Sequence, residues 1–410
     1  MRAAAAGTPP RVTFAAIREE FPALREKTFL DAACVSIAPR RAVAAIEHFL
    51  QRALTCPEAS ATLNHIAMDE QRAAARPVVA RMLNAREDEI ALVESTSHGL
   101  AIAAQVVPLD PVDEVLLGDS EFMEVAIPWI RRQHRFNIVP HHDGRLLVDD
   151  FAERITPRTR LVVISSVQWS SGFRVDMAGL SALCRARGIW LVADVIQQVG
   201  AVPFDVQATP VDVLVCGGHK WLNAPFGCGF LYLRRERMAE LRQTIPGYLA
   251  VETPEGGWGN YFQTPSIRPV REYRFVTNAR RYEVGGTANY PGAIGLAASM
   301  GMILELGQGR IAEHVWTLGD KLIAGLDGLG VQVVTPRDRA ERAGIVTFTL
   351  GVPERNVALM EHLLAQRVLV SVRYTANVGG VRVACHLFNN EDDIGRLLEG
   401  VSHFLRNAPH

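Results

Sequence analysis

The sequence predicts an α/β protein with a large domain built on a mostly parallel sheet and a smaller α+β domain at its C-terminal end. Three observations predict it. The chain has 410 residues, which exceeds the roughly 250–300 residues at which a single core stops growing. Up to about residue 233, short apolar runs alternate with longer helical patterns. From about residue 290 onward, helices and strands are mixed without that alternation.

The strands of the large domain are predicted from short runs of Val, Ile and Leu. Continuous apolar runs are typical of strands that are buried on both faces of a parallel sheet. The helical patterns between these runs supply the crossover helices that parallel neighbours need. The predicted strands are 89–93, 114–117, 161–164, 189–193, 213–216 and 229–233.

The remainder of the chain divides into an arm, an irregular stretch and a small domain. Residues 244–284 are rich in Gly, Pro, Tyr and Arg and show no regular period. So long a segment without predicted structure is usually functional, and we expect a substrate-facing loop. The small domain is predicted from helices at 292–306, 355–366 and 391–405 and from strands at 331–334, 344–350, 368–372 and 381–384. The predicted divisions are an N-terminal arm at 1–25, a large domain at 26–284 and a small domain at 285–410.

Composition indicates an ordinary soluble enzyme. Hydrophobic residues make up 48% and charged residues 21%, and the formal net charge of −1 disfavours nucleic acid or an anionic membrane as partner. No apolar run has the length of a membrane span, and the apolar start is too short for a signal peptide, so we predict a cytoplasmic protein. Six scattered cysteines without a two-residue spacing predict reduced, structural thiols and no metal site.

Two charged residues stand where apolar strands end. Asp194 closes the run 189–193, and Lys220 follows the run 213–216 after a glycine-rich turn. About one strand-helix-strand crossover separates them, so both are expected at the same carboxyl edge of one sheet. The alternative for Lys220 is a structural salt bridge.

Three stretches around these charges resemble the class V aminotransferase family of fold type I enzymes, which use pyridoxal 5′-phosphate (PLP). They are Asp194-Val-Ile-Gln-Gln-Val-Gly200, Gly218-His-Lys-Trp221 and Gly227-Cys-Gly-Phe-Leu-Tyr232. The resemblance extends from Phe29 to Asn390. The family includes cysteine desulfurases, isopenicillin N epimerase-like proteins and kynureninases. It implies a seven-stranded type of sheet and a PLP cofactor that forms a Schiff base with a lysine.

The resemblance implies a set of cofactor-binding residues. It places the phosphate on the turn Ser95-Thr96-Ser97 and on His219, and the phenolic oxygen of the ring near Gln197. Taken alone, residues 95–97 are better explained as an ordinary N-cap cluster. Their position, one strand-helix unit into a chain that also carries Asp194 and Lys220, favours the phosphate turn instead. Thr287 matches a threonine that reaches the phosphate of a neighbouring subunit, which implies a homodimer with shared active sites. The alternative for Thr287 is a glycine turn at a domain junction.

The resemblance also implies catalytic and substrate-binding residues. Asp194 pairs with the ring nitrogen, and Lys220 serves as Schiff-base partner and as general base for the α-proton. Arg382 matches the arginine that forks onto the substrate α-carboxylate, and Arg373 is a second candidate for a distal acid group. A plain surface arginine is the competing interpretation of Arg382.

Some positions depart from the desulfurase branch. Phe122 stands where that branch has a histidine over the ring, and Trp169 stands where many relatives have an asparagine, with Gln168 as a substitute donor. The stretch 372–380 lacks a nucleophilic cysteine, and Cys385 lies at an odd offset from Arg382 on the same strand. These departures disfavour cysteine desulfuration.

The function expected from the sequence is PLP chemistry at the α-carbon of an amino acid, with transamination as the first interpretation. A PLP-dependent β-lyase or epimerase is the nearest alternative. A binding or regulatory protein that keeps the fold without turnover is the alternative from another class.

Overall fold

The computed structural model describes residues 12–243 and 247–407. The helices are α1 Phe14–Arg18, α2 Arg40–Thr55, α3 Ala61–Ala73, α4 Ala75–Leu83, α5 Thr96–Val106, α6 Met123–Arg131, α7 Val148–Arg154, α8 Met177–Arg187, α9 Gly257–Phe262, α10 Tyr290–Leu306, α11 Gln308–Gly328, α12 Pro353–Ala365 and α13 Glu391–Asn407. The strands are β1 Thr28–Phe29, β2 Ile90–Val93, β3 Glu114–Gly118, β4 Arg135–Val139, β5 Thr159–Ser165, β6 Trp190–Asp194, β7 Val213–Gly217, β8 Gly229–Leu233, β9 Gln332–Val333, β10 Ile345–Thr349, β11 Val368–Leu369, β12 Ser371–Thr375 and β13 Val378–Ala384.

A seven-stranded sheet forms the centre of the protein. Its strand order is β2-β8-β7-β6-β5-β3-β4. Strand β8 runs antiparallel to both of its neighbours, and the other pairs are parallel. This arrangement confirms the predicted mostly parallel sheet. The sequence analysis missed β4, because this edge strand is largely exposed and so lacks a continuous apolar run.

Both faces of this sheet are covered, as the apolar strands predict. In β6, Trp190 and Val192 belong to one hydrophobic cluster, whereas Leu191 and Ala193 belong to a second cluster on the other face. Burial of a Val or Leu side chain stabilises a fold by roughly 1.5–3 kcal/mol. Alternation of this kind fixes the register of β6 and therefore the position of the residue that ends it.

A four-stranded antiparallel sheet lies in the C-terminal part, in the order β12-β13-β10-β9. The helices α11 and α12 pack against this sheet, and α13 packs against these two helices. The sequence analysis did not identify α11, which contains the glycines at 309, 319, 325 and 328 and therefore reads as interrupted. None of the helices in the described ranges is long and apolar enough to cross a bilayer.

The N-terminal residues pack against the C-terminal part of the chain. Strand β1 pairs with β11 in parallel. Arg18 also forms an ion pair of 2.7 Å with the buried Asp393 of α13. Residues 1–11 of the predicted arm lie outside the described residues, and the proposed divisions at 25/26 and 284/285 stay predictions. These contacts carry residues 28–36 toward the seven-stranded sheet.

Candidate active site

Asp194 ends β6 and is buried, with 4% of its surface exposed. Its Oδ1 accepts a hydrogen bond of 2.9 Å from the backbone N–H of Ile196. Burial raises the pKa of Asp194 to about 6, although the Ile196 N–H and the charge of Lys220 both lower it. The carboxylate is therefore ionised at neutral pH, and a buried negative charge of this kind requires a cationic partner.

Lys220 follows β7 in a tight turn. The backbone N–H of Asn223 donates to its carbonyl at 3.0 Å, and Gly218 approaches Ala224 so closely that a Cβ would lie 2.9 Å from the Ala224 Cβ. Burial lowers the pKa of Lys220 to about 8, although Asp194 raises it. No hydrogen bond or ion pair of the Lys220 amine occurs within the described ranges. A salt-bridge role for Lys220 therefore has no contact in its support.

The helix α5 begins at the predicted phosphate turn. The Ser95 hydroxyl accepts from the His98 N–H at 3.1 Å, and the Thr96 hydroxyl accepts from the Gly217 N–H at 2.9 Å. Each hydroxyl acts here as an acceptor, so its own proton stays free for an anion. Ser97 is exposed. Burial raises the pKa of the nearby Glu124 carboxyl, and a hydrogen bond with Ser97 offsets part of that increase. The turn offers the donors that a phosphate needs.

The end of β7 leaves little room for a side chain at Gly217. A Cβ on Gly217 would lie 3.0 Å from the Thr96 hydroxyl oxygen and 3.2 Å from Nδ1 of His219. The ring of His219 stacks on Phe226 with centroids 5.4 Å apart. Burial, together with the charge of Lys220, lowers the pKa of His219 to about 4. The ring is therefore neutral at physiological pH and presents one N–H donor.

Gln197 lies one turn beyond Asp194 and is buried. Its amide nitrogen donates to the Ala33 carbonyl at 3.0 Å, and its amide oxygen accepts from Trp221 Nε1 at 2.8 Å. One N–H of the amide remains available. Gln197 is thus held rigidly from two sides, as a residue that orients a ring atom must be.

Two aromatic side chains lie together on the other flank. Phe122 and Trp169 meet edge to face with centroids 5.3 Å apart. Trp169 Nε1 is buried and has no hydrogen-bond partner in the described part of the chain. The substitute donor suggested for this position is excluded, because the Gln168 amide nitrogen already donates to Glu121 and to the Ser165 carbonyl.

Arg382 lies on β13 and is 2% exposed. Its Nη2 donates to Oδ1 of Asp31 at 3.2 Å, and its Nη1 donates to the Trp169 carbonyl at 3.1 Å. Burial lowers the pKa of Arg382, and Asp31 raises it. A guanidinium this deeply buried is not a plain surface arginine.

Arg373 lies on β12 with its Nη2 donating to Sγ of Cys34 at 3.6 Å. Thr287 is exposed, and no side-chain hydrogen bond connects it with the other candidates in the described ranges. Its proposed contact with a neighbouring subunit therefore remains a prediction. No cluster of metal-ligating side chains occurs among the residues described.

Glu121 is a buried residue that the sequence analysis did not assign to the site. It accepts hydrogen bonds from the Ser165 N–H at 2.9 Å, the Ser165 hydroxyl at 2.5 Å and Gln168 Nε2 at 2.9 Å. Burial raises the pKa of Glu121 to about 7 against these hydrogen bonds, and Asp194 adds to the increase. Ser165 pairs with Asp194 across β5 and β6, so Glu121 supports the wall beside that carboxylate. In the sequence, its position directly before Phe122 was the feature that could have assigned Glu121 to the site.

The segment 31–36 is a second feature that sequence reasoning missed. Asp31 contacts Arg382, the Ala33 carbonyl contacts Gln197, and the Ser36 N–H donates to the His219 carbonyl at 2.8 Å. Residues more than a hundred positions apart in the sequence therefore share one wall. The stretch that begins at Phe29 belongs to the resemblance, but local sequence patterns do not predict contacts with residues so far away in the chain.

The residues fit the predicted cofactor on three observations. An amine without a partner lies beside a buried carboxylate. Hydroxyl protons are free at the start of α5. The Arg382 Nε, buried and without a partner among the described residues, leaves a donor for a substrate anion. These features are the ones that a phosphate, a pyridine ring and an amino-acid carboxylate need.

Comparisons with known proteins agree with this geometry. A family model described as aminotransferase class-V matches residues 28–397. A probable cysteine desulfurase of Aeropyrum pernix is 28% identical over 422 residues and covers 97% of this chain and 99% of that protein. An isopenicillin N epimerase of Streptomyces clavuligerus is 28% identical over 343 residues, with 80% of this chain and 83% of that protein covered.

Solved structures of C-DES share the fold. One holds glycine covalently linked to the PLP cofactor and matches with a TM-score of 0.82 and 23% identity over 94% of this chain and 98% of that chain. Another, a cystine C-S lyase complex with its product cysteine persulfide, matches with a TM-score of 0.81 and 24% identity over 93% and 99% of the two chains. These comparisons confirm the predicted fold, with a larger domain and a smaller C-terminal domain. They also confirm the prediction that the chain is an enzyme. The expectation that cysteine desulfuration is disfavoured is not supported.

Proposed function

Because the chain belongs to the class V aminotransferase family of PLP-dependent enzymes, we propose that it acts at the α-carbon of an amino acid at the edge of the seven-stranded sheet. One observation carries the proposal. A lysine amine with a lowered pKa and no partner in the described ranges lies beside a buried aspartate, where β6 and β7 end.

When bound, PLP supplies an aldehyde that links to amines and a ring that withdraws electrons from the α-carbon. Asp194 provides the buried negative charge that keeps the ring nitrogen protonated. Lys220, with its pKa near 8, has a neutral fraction at physiological pH and takes up a proton from the α-carbon. The Ser95 and Thr96 hydroxyls and the neutral His219 ring would hold the phosphate, with Ser97 at the exposed end of the same turn.

The aromatic pair Phe122 and Trp169 would flank the cofactor ring. Phe122 is partly exposed and offers a face for stacking, but it cannot carry a proton. Trp169 fixes its orientation by edge-to-face contact and offers its free Nε1–H. Gln197 supplies the remaining amide N–H beside Asp194. None of these three side chains carries a proton to the substrate, so the α-proton is assigned to Lys220.

Arg382 is proposed to bind the substrate α-carboxylate. Replacing Arg382 by lysine keeps the charge but removes the planar fork that pairs with a carboxylate. We expect KM for the amino acid to rise about 10–100-fold with a smaller change in kcat, since such a hydrogen bond contributes about 1.5–3 kcal/mol. Steady-state kinetics measure this split.

The exposed Arg337, whose side chain is 61% exposed and pairs with Asp327, provides the matched control. Arg337→Lys should leave KM unchanged. An unchanged KM in Arg382→Lys would place the carboxylate elsewhere and shift attention to Arg373.

Transamination is the first reaction to test. It requires an α-keto acid as second substrate and leaves the cofactor in its amine form. Purified, PLP-loaded enzyme is incubated with single amino acids in the presence and absence of an α-keto acid, and the products are identified. Amino-group transfer that depends on the keto acid supports transamination, and release of pyruvate, alanine or a thiol without it excludes transamination as the main activity.

Cleavage of a sulfur-bearing amino acid is the second candidate. The probable cysteine desulfurase relative and the placement of Cys34 beside Arg373 favour it. A shared-site homodimer and a cytoplasmic location stay predictions. The mass of the PLP-loaded protein in solution tests the dimer.

A further inference from the structure

The segment 31–36 brings a cysteine to the substrate end of the candidate site. On the small sheet, Ser371 and Arg382 are directly opposed on neighbouring strands, and Arg373 lies two residues beyond Ser371. These three side chains therefore share one face. Ser371 and Arg382 both donate to Asp31, at 2.9 and 3.2 Å. Cys34 lies three residues later on the same segment.

Cys34 lies among cationic groups. Arg373 Nη2 donates to its Sγ at 3.6 Å. Burial lowers the pKa of Lys220 and of Arg382, and the nearby Cys34 raises both in part. The nucleophilic form of cysteine is the thiolate, and the Arg373 guanidinium is placed to pair with it during an attack. Cys34 is also partly exposed, so a small molecule that enters the site can reach it.

A second observation points to a ligand at the same place. Arg382 is 2% exposed, and its Nε has no hydrogen-bond partner within the described ranges. A buried guanidinium donor without a partner is unfavourable unless an acceptor arrives. The acceptor that fits is a carboxylate, because Arg382 and Arg373 together outnumber the single acid Asp31.

The other cysteines lack this combination. Burial raises the pKa of Cys184, Cys228 and Cys385 to about 12 and that of Cys216 well above its ordinary value. Cys56 is exposed but follows α2 on the outside of the molecule, with no arginine donating to its sulfur among the described residues. Cys56 therefore serves as an internal control for simple accessibility.

We propose that Cys34 is a nucleophilic thiol that exchanges with disulfides of small, carboxylate-bearing thiols, with Arg382 and Arg373 binding the carboxylate. The Cys34 thiolate attacks one sulfur of the disulfide and forms a new S–S bond. The original S–S bond breaks, and its electron pair leaves on the other sulfur as a thiolate, which takes a proton from water. The exchange requires no other oxidant or reductant. The inference rests on the proposed function in taking Arg382 as the carboxylate site.

Cystine is the probe that tests this inference, and cystamine, a disulfide with amines and no carboxylates, is its charge control. Full-length protein, with and without PLP, is incubated with each disulfide, and adducts are counted by intact mass and assigned by peptide mapping. We expect one cysteine adduct on Cys34, forming at least about tenfold faster than on Cys56 and than the cystamine adduct, with one cysteine released per adduct. Cys34→Ser removes the adduct, and Cys56→Ser retains it.

The variant Arg373→Gln tests whether the neighbouring cation, and not exposure alone, makes Cys34 reactive. This variant should form the Cys34 adduct about tenfold more slowly, while the rate at Cys56 stays unchanged. Labelling of Cys56 at an equal or greater rate, equal rates for cystine and cystamine at Cys34, or no adduct on Cys34 overturns the proposal. If Cys34→Ser does not fold, Cys34→Ala and the Arg373→Gln comparison give the same decision. Because the PLP absorbance is read separately, failure of the disulfide exchange is distinguishable from failure of the proposed function.

Discussion

Replacing Lys220 by alanine is expected to abolish turnover and the covalent attachment of the cofactor. Lys220 provides the only amine proposed for both tasks, and general acid-base catalysis alone contributes about 10²–10⁴-fold to a rate. Loss of the linkage adds to that effect. We therefore expect activity to fall at least about 10³-fold and the absorbance band at the violet edge of the visible to be absent after free PLP is washed away.

The matched control is Lys321→Ala. Lys321 is exposed and pairs with Glu391 on the surface, so its removal should change neither the band nor the rate. Thermal unfolding of both variants checks that they are folded. Retention of a washed-stable band in Lys220→Ala, with turnover within about tenfold of the parent, would remove Lys220 from the mechanism.

Replacing Asp194 by asparagine is expected to stabilise the cofactor-free protein while it disables the enzyme. The pKa of Asp194 is raised from 3.8 to about 6, so the fold disfavours its charge. At about 1.4 kcal/mol per pKa unit, the ionised carboxylate costs about 3 kcal/mol above pH 6, and this cost disappears as pH falls below about 4. An asparagine carries no charge, and its Oδ1 still accepts from Ile196.

We expect Asp194→Asn to raise the free energy of unfolding of the PLP-free protein by about 1–3 kcal/mol at pH 8, and by less at pH 5. Turnover of the PLP-loaded variant should fall at least about 10²-fold, because the ring nitrogen loses its anionic partner. Denaturant unfolding at the two pH values and steady-state kinetics measure the two effects. Asp110→Asn, at a side chain that is 78% exposed, should produce neither.

A pH-independent gain, or a loss of stability at pH 8, would show that the Asp194 charge is compensated within the fold. Stabilisation together with loss of activity is the behaviour expected of a charge kept for function. In the presence of PLP, Asp194→Asn should instead lower the free energy of unfolding. The protonated ring nitrogen pairs with the Asp194 carboxylate and has no anionic partner in the variant.

Local patterns were sufficient to predict that Asp194 and Lys220 lie at the ends of neighbouring strands, at the centre of the candidate site. Asp194 ends one continuous apolar run, and Lys220 follows another after a glycine-rich turn. The alternating burial of such strands fixes where their ends lie. Trp169 and Gln197 came from the resemblance, and the structure shows what holds them.

Other features depend on contacts that a linear pattern does not contain. Asp31 meets Arg382 only because β1 pairs with β11 and carries the N-terminal segment across the molecule. The same pairing places Cys34, which the sequence assigned to structural thiols, beside Arg373. Strand β4 escaped notice because an exposed edge strand has no apolar run, and α11 because its glycines interrupt the helical pattern.

Chemical trapping of the cofactor identifies the lysine that carries it. The sequence contains three lysines, Lys27, Lys220 and Lys321. The protein is loaded with PLP, reduced with borohydride so that any imine becomes a stable amine, digested and mapped by mass spectrometry. We predict a single phosphopyridoxyl group on Lys220, whose yield falls in Asp194→Asn. A phosphopyridoxyl group on Lys27 or Lys321 in place of Lys220, or no labelled lysine, would show that Lys220 does not bind the cofactor covalently.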